Sequence, residues 1–306
     1  MNFSKQKFIS IISYADLGEK SNFKTADILY LTQFLRKKEL ISQIICRINK
    51  NFEFRDTYSA VPMFFYYLVG GIERILKQKT FGRILEEKIF DFFAKKYLKK
   101  TDIVIFHPEY LAPSAYYKAK NLGALTIGFA VAAHFKYNAN LEKEEFEKLG
   151  LSKIYPKYTI WTKFAKQYSS DYHHDYLITF SDFAAKTFIE YGMSKERVFV
   201  AYQDFDLERF ILPNDFQKKE EKFIVLFVSY ISVLKGLHYL LDAWEKLKLK
   251  DAELVIVGDY AEIPPLLKIR YENIIKNNKT IKWIGPTKTP EIYYRSASVF
   301  VMPSLT

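Results

Sequence analysis

The chain is poor in cysteine and has no long hydrophobic run. Its 306 residues include a single cysteine, Cys46, which excludes an internal disulfide and is typical of a reducing compartment. The longest stretch without charge, residues 57–72, contains Pro62 and is shorter than the ~18–20 residues that a membrane-spanning helix needs. Residues 1–15 are not followed by the small-residue cleavage site of a signal peptide. We therefore expect a cytoplasmic protein without a spanning segment.

Arginine is scarce although the chain is basic. Lysine and arginine number 46 against 35 acidic residues, a net charge of +11, but only 9 of the 46 are arginine. A surface that recognises phosphates through paired hydrogen bonds favours arginine. No predicted element combines basic and aromatic residues in a cluster, so we do not expect nucleic acid as a partner. An anionic membrane surface and nucleotide phosphates stay open as partners.

Strand and helix patterns alternate along the chain. Hydrophobic residues make up 49% and charged residues 26%, which excludes disordered and coiled-coil proteins. Short apolar runs rich in β-branched or aromatic residues are separated by helical periodicity, and this alternation predicts doubly wound parallel sheets. The predicted strands of the first part are residues 7–14, 40–47, 102–106, 124–130 and 176–180. The predicted helices are 23–37, 60–78, 81–99, 114–121 and 182–191.

A polar, charge-dense segment at residues 213–222 interrupts the alternation. We interpret it as a linker between a first domain, residues 1–212, and a second domain, residues 223–306. The second domain has predicted strands at 223–228, 253–257, 280–284 and 298–302, and helices at 236–247, 263–276 and 290–296. Because the chain stops directly after a strand, which would leave an open sheet edge, we expect this domain to be incomplete as given.

The loop after the strand 223–228 is a candidate anion site. It ends in Lys235 and Gly236 at the start of a predicted helix, where free N–H groups and the positive end of the helix dipole favour an anion. The alternative is a surface lysine before an ordinary helix. Gly258, with Asp259 beside it, and Gly285 end the next two strands, and glycine at a carboxyl strand end lets the backbone approach a ligand.

These elements and their order resemble family 4 of the GT-B glycosyltransferases. The matching elements of its nucleotide-sugar domain are Lys235-Gly236, Leu240-Leu241-Asp242-Ala243, Val257-Gly258, Trp283-Ile284-Gly285 and Pro303-Ser304. In the first half, residues 118–124, 132–135, 176–182 and 204–210 resemble further family segments. The resemblance implies an α/β protein with two Rossmann-like domains of the GT-B type. It also implies a retaining, metal-independent transferase without a cofactor, which moves a sugar from a nucleoside-diphosphate donor to a glycan or lipid-linked acceptor.

The resemblance assigns site residues as well. Tyr230, Lys235, Gly236, Gly258, Asp259 and Gly285 would bind the donor. His134 would be catalytic, near the anomeric carbon, and Asp16 and Gly18, in the loop after the first strand, would lie on the acceptor side.

Two departures favour a different function. Ser229 and Tyr230 stand where the family usually has Gly-Arg, and the chain ends before the family's paired glutamates. A catalytically inactive, glycosyltransferase-like binding protein or an enzyme fragment is therefore the alternative.

Three other patterns have simpler explanations. Asp204-Phe205-Asp206 has the form of a manganese motif but falls on a family segment without that role, and the adjacent His173 and His174 lack metal-ligand spacing, so we expect no metal site. The apolar and basic stretch 61–98 either lies on an anionic bilayer, at the inner face of the membrane, or packs on the first sheet. Trp161, Trp244 and Trp283 are expected in the core.

Overall fold

The computed structural model describes residues 8–18, 26–50, 56–76, 79–155, 174–203, 207–211, 222–260 and 263–306. The chain forms two compact units. Unit 1 comprises residues 1–137 and 163–204, and unit 2 comprises residues 138–162 and 205–306. Residues 138–162 therefore group with the second unit, whereas the predicted boundary at 212 places them in the first domain. The physical reason is that Phe146 and Tyr155 pack into the hydrophobic core of unit 2. The predicted linker lies outside the described residues except for Lys222.

Unit 1 contains a parallel sheet. Its strands within the described ranges are β1 Ile9–Gly18, β2 Ile41–Lys50, β3 Thr57–Ser59, β4 Ile103–His107, β5 Leu125–Ala130, β6 Tyr176–Thr179 and β7 Val198–Val200. They are ordered β3-β2-β1-β4-β5-β6-β7, so the direction of the strand order reverses between β1 and β4.

Both faces of this sheet are covered. Ile12 and Phe106 pack into one apolar cluster, and their neighbours Ile11 and Ile105 pack into another. Successive residues of a strand point to opposite faces, which explains why these strands are almost continuously hydrophobic. The described helices of unit 1 are α1 Ala26–Lys37, α2 Met63–Leu76, α3 Lys79–Tyr97, α4 Pro113–Asn121 and α6 Asp182–Glu190; α5 Phe135–Lys148 begins in unit 1 and continues in unit 2.

Unit 2 repeats the design with a smaller parallel sheet. Its described strands are β8 Phe223–Val228, β9 Ala252–Val257, β10 Ile281–Gly285 and β11 Val299–Phe300, in the order β10-β9-β8-β11. The helices that complete it are α7 Leu207–Phe210, α8 Leu237–Leu247, α9 Pro265–Asn277 and α10 Pro290–Ser296. Phe227, Leu241 and Trp244 are central to its core. The predicted α/β architecture with two parallel sheets is confirmed.

None of the helices in the described ranges combines the length and the apolarity needed to cross a bilayer.

Candidate functional site

The strand order of unit 2 reverses between β8 and β11. In open α/β sheets the crevice outside the carboxyl ends of the strands, at such a reversal, is where ligands bind. The loops after these two strands contact each other. The backbone N–H of Leu305 donates to the carbonyl of Leu234 at 2.9 Å, and a Cβ atom on Gly236 would fall on the carbonyl oxygen of Pro303. The fold thus brings Lys235-Gly236 beside Pro303-Ser304, two elements that are 67 positions apart in sequence.

Lys235 is the cation of this crevice. It ends a single 3-10 turn, Val233–Lys235, and is half-buried. Burial lowers the pKa of Lys235. Its Nζ lies 5.9 Å from the centre of the exposed Tyr230 ring, and no acidic side chain within the described ranges forms an ion pair with it. A cation that is partly removed from water without a counter-ion is stabilised by an anionic ligand.

Gly236 fixes the start of α8. Its φ of +67° is in the left-handed region, which costs a residue with a Cβ atom, and it directly precedes the first helical residue, Leu237. We predicted a helix from residue 236; the structure makes Gly236 the cap instead. The first amides of a helix have no carbonyl partner within it, so the crevice beside Lys235 also offers N–H donors.

The ends of β8, β9 and β10 come together at Gly258. A Cβ atom at this position, where φ is +141°, would fall on the carbonyl oxygen of Ser229. The Gly258 N–H donates to the carbonyl of Gly285 at 2.9 Å, and its carbonyl accepts from Trp283 Nε1 at 2.8 Å. Trp283 is partly buried, and its hydrogen bond joins the end of β10 to the end of β9 at the predicted site. Its sequence context did not indicate this role.

Asp259 lies beside this glycine at the same edge of the sheet. Its carbonyl accepts from the N–H of Ile231 at 2.7 Å, and its Oδ1 accepts from the N–H of Tyr260 at 2.7 Å. The exposed carboxylate thus has a fixed direction. The structure places all six predicted donor-side residues at the carboxyl edge of the unit 2 sheet; their contact with a donor stays a prediction.

His134 follows β5 in unit 1 and packs against α6 and Tyr191, the residue that follows this helix. Its ring stacks on Tyr191 with centroids 4.5 Å apart and meets the edge of Phe188 at 5.0 Å. Its backbone N–H donates to Thr187 Oγ1 at 2.9 Å, and its Nδ1 accepts from the N–H of Lys136 at 3.3 Å. The neutral ring therefore carries its proton on Nε2.

Asp16 and Gly18 lie in β1, so the predicted loop position is wrong. After a register shift between Ser13 and Asp16, β1 continues to pair with β2 as far as Gly18, which keeps these residues extended. Asp16 accepts from Arg47 Nη1 and from Lys50 Nζ, each at 2.8 Å. Both predicted residues still lie at the carboxyl end of β1, next to the reversal of the unit 1 strand order.

Arg47 joins Asp16 to a buried acid. Its Nε lies 2.5 Å from Glu86 Oε1, which also accepts from the Tyr14 hydroxyl at 2.5 Å. The guanidinium covers the rings of Tyr14 and Tyr66 at 5.6 and 5.5 Å. Burial, together with the charge of Glu86, raises the pKa of Tyr14 and keeps its hydroxyl a donor.

Glu109 was not predicted as a site residue. It follows β4 at the carboxyl edge, it is buried, and its Oε2 has no hydrogen-bond partner among the residues that the structure describes. Burial raises the pKa of Glu109 to about 8. An acid two residues beyond a strand end, in His107-Pro108-Glu109, is the sequence signal that identifies it.

The histidine pair has a structural explanation where it is described. His174 Nε2 lies 2.8 Å from the carbonyl oxygen of Glu109, and Asp175 accepts from Lys120 Nζ at 2.7 Å. His173, the segment 204–206 and Trp161 lie outside the described residues.

Comparison with known proteins identifies the fold. Residues 222–306 match the family model described as "Glycosyl transferases group 1". No curated protein sequence matches the chain. The solved structures with similar folds include HepE from Anabaena in complex with UDP-glucose, with 13% identity, a TM-score of 0.55, and coverage of 98% of this chain and 74% of that one.

Two further structures give the same result. WaaG, a glycosyltransferase of lipopolysaccharide biosynthesis, has 13% identity, a TM-score of 0.60, and coverage of 98% and 75% of the two chains. The catalytic domain of starch synthase IV from Arabidopsis thaliana has 12% identity, a TM-score of 0.57, and coverage of 98% and 79%. At these identities the similarity establishes the fold. The chain therefore has a GT-B fold, and its residues 222–306 match the family model of the group 1 glycosyl transferases.

Proposed function

We propose that this protein is a cytoplasmic glycosyltransferase that moves a sugar from a nucleoside-diphosphate donor to a hydroxyl group of a glycan or glycolipid acceptor. We further propose that it retains the configuration of the sugar and needs no metal ion. The observation that carries the proposal is the half-buried Lys235 beside Gly236 at the strand-order reversal of unit 2, within the segment that matches the family.

Lys235 and the first amides of α8 would bind the diphosphate. In the reaction, the bond between the anomeric carbon and the diphosphate oxygen breaks, and its electron pair leaves with the diphosphate. The acceptor oxygen forms the new bond to that carbon, and its proton leaves with the diphosphate. A fixed cation and preoriented N–H groups stabilise the charge that develops on the leaving group. Without a metal ion, we assign the cationic part of this task to Lys235.

The remaining donor-side residues would hold the nucleoside and orient the sugar. Gly285, where a Cβ atom would meet open space, gives the ligand close access to the backbone, and Gly258 lets the loop after β8 pack closely beside it. The carboxylate of Asp259 suits ribose hydroxyl groups. Tyr230 occupies a position where the family usually has arginine, so we assign the cationic role to Lys235 alone. The complex of HepE with UDP-glucose makes UDP-sugars the first donors to test.

In unit 1 we assign His134 to the catalytic step and Asp16 and Gly18 to the acceptor side. The stack on Tyr191 fixes the ring of His134, and the dipole of the ring can stabilise charge in the transition state. Ion pairs with Arg47 and Lys50 hold the carboxylate of Asp16 in place, and carboxylate oxygens can accept hydrogen bonds from the hydroxyl groups of an acceptor.

The experiment is a turnover assay with UDP-glucose and a panel of other nucleotide sugars, which measures nucleoside-diphosphate release with and without glycan acceptors. We expect turnover by the natural sequence. For Lys235→Ala we expect a loss of about 10²- to 10³-fold, in the range of other groups that stabilise a developing anion. Lys246→Ala, which removes an exposed lysine of α8, should leave the rate unchanged.

Two outcomes would contradict the proposal. Equal rates for the Lys235→Ala and Lys246→Ala variants would remove Lys235 from the site. Binding of nucleotide sugars without any turnover would favour the alternative, a glycosyltransferase-like binding protein.

A further inference from the structure

Helix α2 turns an apolar face to solvent. Met63, Phe64, Tyr67, Leu68 and Ile75 recur at spacings of three, four and seven, which places them on one side of the helix, and all five are exposed. Phe64 is 70% and Ile75 is 81% exposed. A surface helix of a soluble protein normally turns such a face to the core. Here Val69, on the opposite side, faces the core instead and is 2% exposed.

Helix α3 continues this surface. Phe92 is exposed, and Lys88, Lys95 and Lys96 lie three or four positions from it, on the same side of the helix. Ring contacts connect the two helices without a break. Phe64 meets Phe65 at 5.5 Å, Phe65 meets Phe93 at 6.1 Å, and Phe93 meets Phe92 at 5.2 Å. The apolar face of α2 and the lysines of α3 therefore belong to one surface, which we call the α2–α3 surface.

The exposed charges of these helices have one sign. In the described parts of α2 and α3, the exposed charged residues are Arg74, Arg83, Lys88, Lys95 and Lys96. Among the acidic residues of the same parts, Glu86 and Glu87 are buried, and Glu73 and Asp91 are partly buried. Glu86 pairs with Arg47, Glu87 pairs with Arg83, and Asp91 accepts from the N–H of Ser114 at 2.9 Å. This separation of acids from bases produces an apolar surface with a basic border.

We propose that the α2–α3 surface binds an anionic lipid bilayer. Aromatic and aliphatic side chains enter the boundary between headgroups and acyl chains, while lysines at the border attract anionic headgroups. A second copy of the chain is a poorer occupant, because two basic borders would repel each other. The proposal does not depend on catalysis and is tested without a nucleotide sugar.

The test is vesicle flotation with the full chain. We expect it to float with vesicles of phosphatidylcholine and phosphatidylglycerol, and to stay in the buffer with phosphatidylcholine alone. The triple variant Lys88→Gln, Lys95→Gln, Lys96→Gln should bind on the order of a hundredfold more weakly, since each juxtamembrane base contributes about 1 kcal/mol. The double variant Phe64→Ser, Ile75→Ser should lose at least about tenfold per residue, because each side chain leaves the acyl boundary.

Matched controls come from unit 2. Leu266→Ser with Ile269→Ser removes two apolar side chains that are 66% and 54% exposed on α9. Lys246→Gln, Lys250→Gln and Lys276→Gln remove three exposed bases. Both control sets should bind vesicles like the natural sequence. All the positions are exposed, so circular dichroism should show the same folded state for every variant.

Three results would overturn the proposal. These are equal flotation with both lipid compositions, equal losses in the control variants, and an absence of flotation. Sedimentation velocity tests the alternative, a second copy of this chain on the α2–α3 surface. If the natural sequence is a dimer that does not bind vesicles, and the Phe64→Ser, Ile75→Ser variant is a monomer, the surface belongs to a dimer interface.

Discussion

Replacing Gly236 by alanine should destabilise unit 2 more than the same change at Gly285. Both glycines have left-handed backbone, with φ of +67° and +79°. A Cβ atom in this region costs about 1–2 kcal/mol at either position. The surroundings differ, because the new Cβ at Gly285 meets nothing within 4 Å, whereas at Gly236 it falls on the carbonyl of Pro303, with the carbonyl carbon 2.9 Å away.

The overlap adds a second penalty at Gly236 alone. Forcing an extra carbon into a packed position typically costs about 1–3 kcal/mol. We therefore expect Gly285→Ala to lower the free energy of unfolding by about 1–2 kcal/mol and Gly236→Ala to lower it by about 2–5 kcal/mol. The larger change should also weaken nucleotide binding, since Gly236 fixes the start of α8.

Urea unfolding followed by tryptophan fluorescence measures the difference, because Trp244 and Trp283 both lie in unit 2. The denaturant midpoint should shift without a change in slope. Equal losses for the two variants, or a larger loss for Gly285→Ala, would refute the close approach of the loops after β8 and β11.

Two further predictions concern unit 1. Arg47→Ala leaves Glu86 buried without its cation and should lower the free energy of unfolding by about 3 kcal/mol, measured by heat or urea. Lys186→Ala, which breaks an exposed pair with Glu190, should lower it by about 0.5 kcal/mol or less. Similar losses in the two variants would contradict the buried pair. Folding raises the pKa of Glu109 from about 4.5 to about 8, so the protonated carboxyl group stabilises the fold fully below a pH of about 4.5. This stabilisation is lost as the pH rises to about 8, at about 1.4 kcal/mol per pH unit. Glu109→Gln should remove this part of the pH profile, and an unchanged profile would show that the carboxyl group titrates normally.

Sequence patterns predicted the elements that depend on local chemistry. Strand β8 and helix α10 have the predicted bounds, because an apolar run with clear flanks defines the first and a proline at the first position begins the second. Helix α5 was missed because its buried side chains include Asn138, Glu142 and Glu145, which do not produce an apolar stripe. The three-residue strands β3 and β7 are too short to carry a pattern.

The site was predictable where the loop itself shows the chemistry. Lys235 and Gly236 were found from their position between a strand and a helix. The contact of Gly236 with Pro303 was not predicted, because it arises only when β11 pairs with β8 on the side away from β9. Likewise, the position of Asp16 within β1 depends on its pairing with β2, and a single-strand pattern does not contain that information.

The most direct test of the central claim is calorimetric titration of the full chain with UDP, GDP and ADP, comparing the natural sequence with Lys235→Ala and Lys246→Ala. If Lys235 binds the diphosphate at the reversal of the unit 2 sheet, one of these nucleotides should bind, its affinity should fall at least about tenfold in Lys235→Ala, and it should not change in Lys246→Ala. Binding that is equally strong in Lys235→Ala, or an absence of binding for all three nucleotides, would contradict the account.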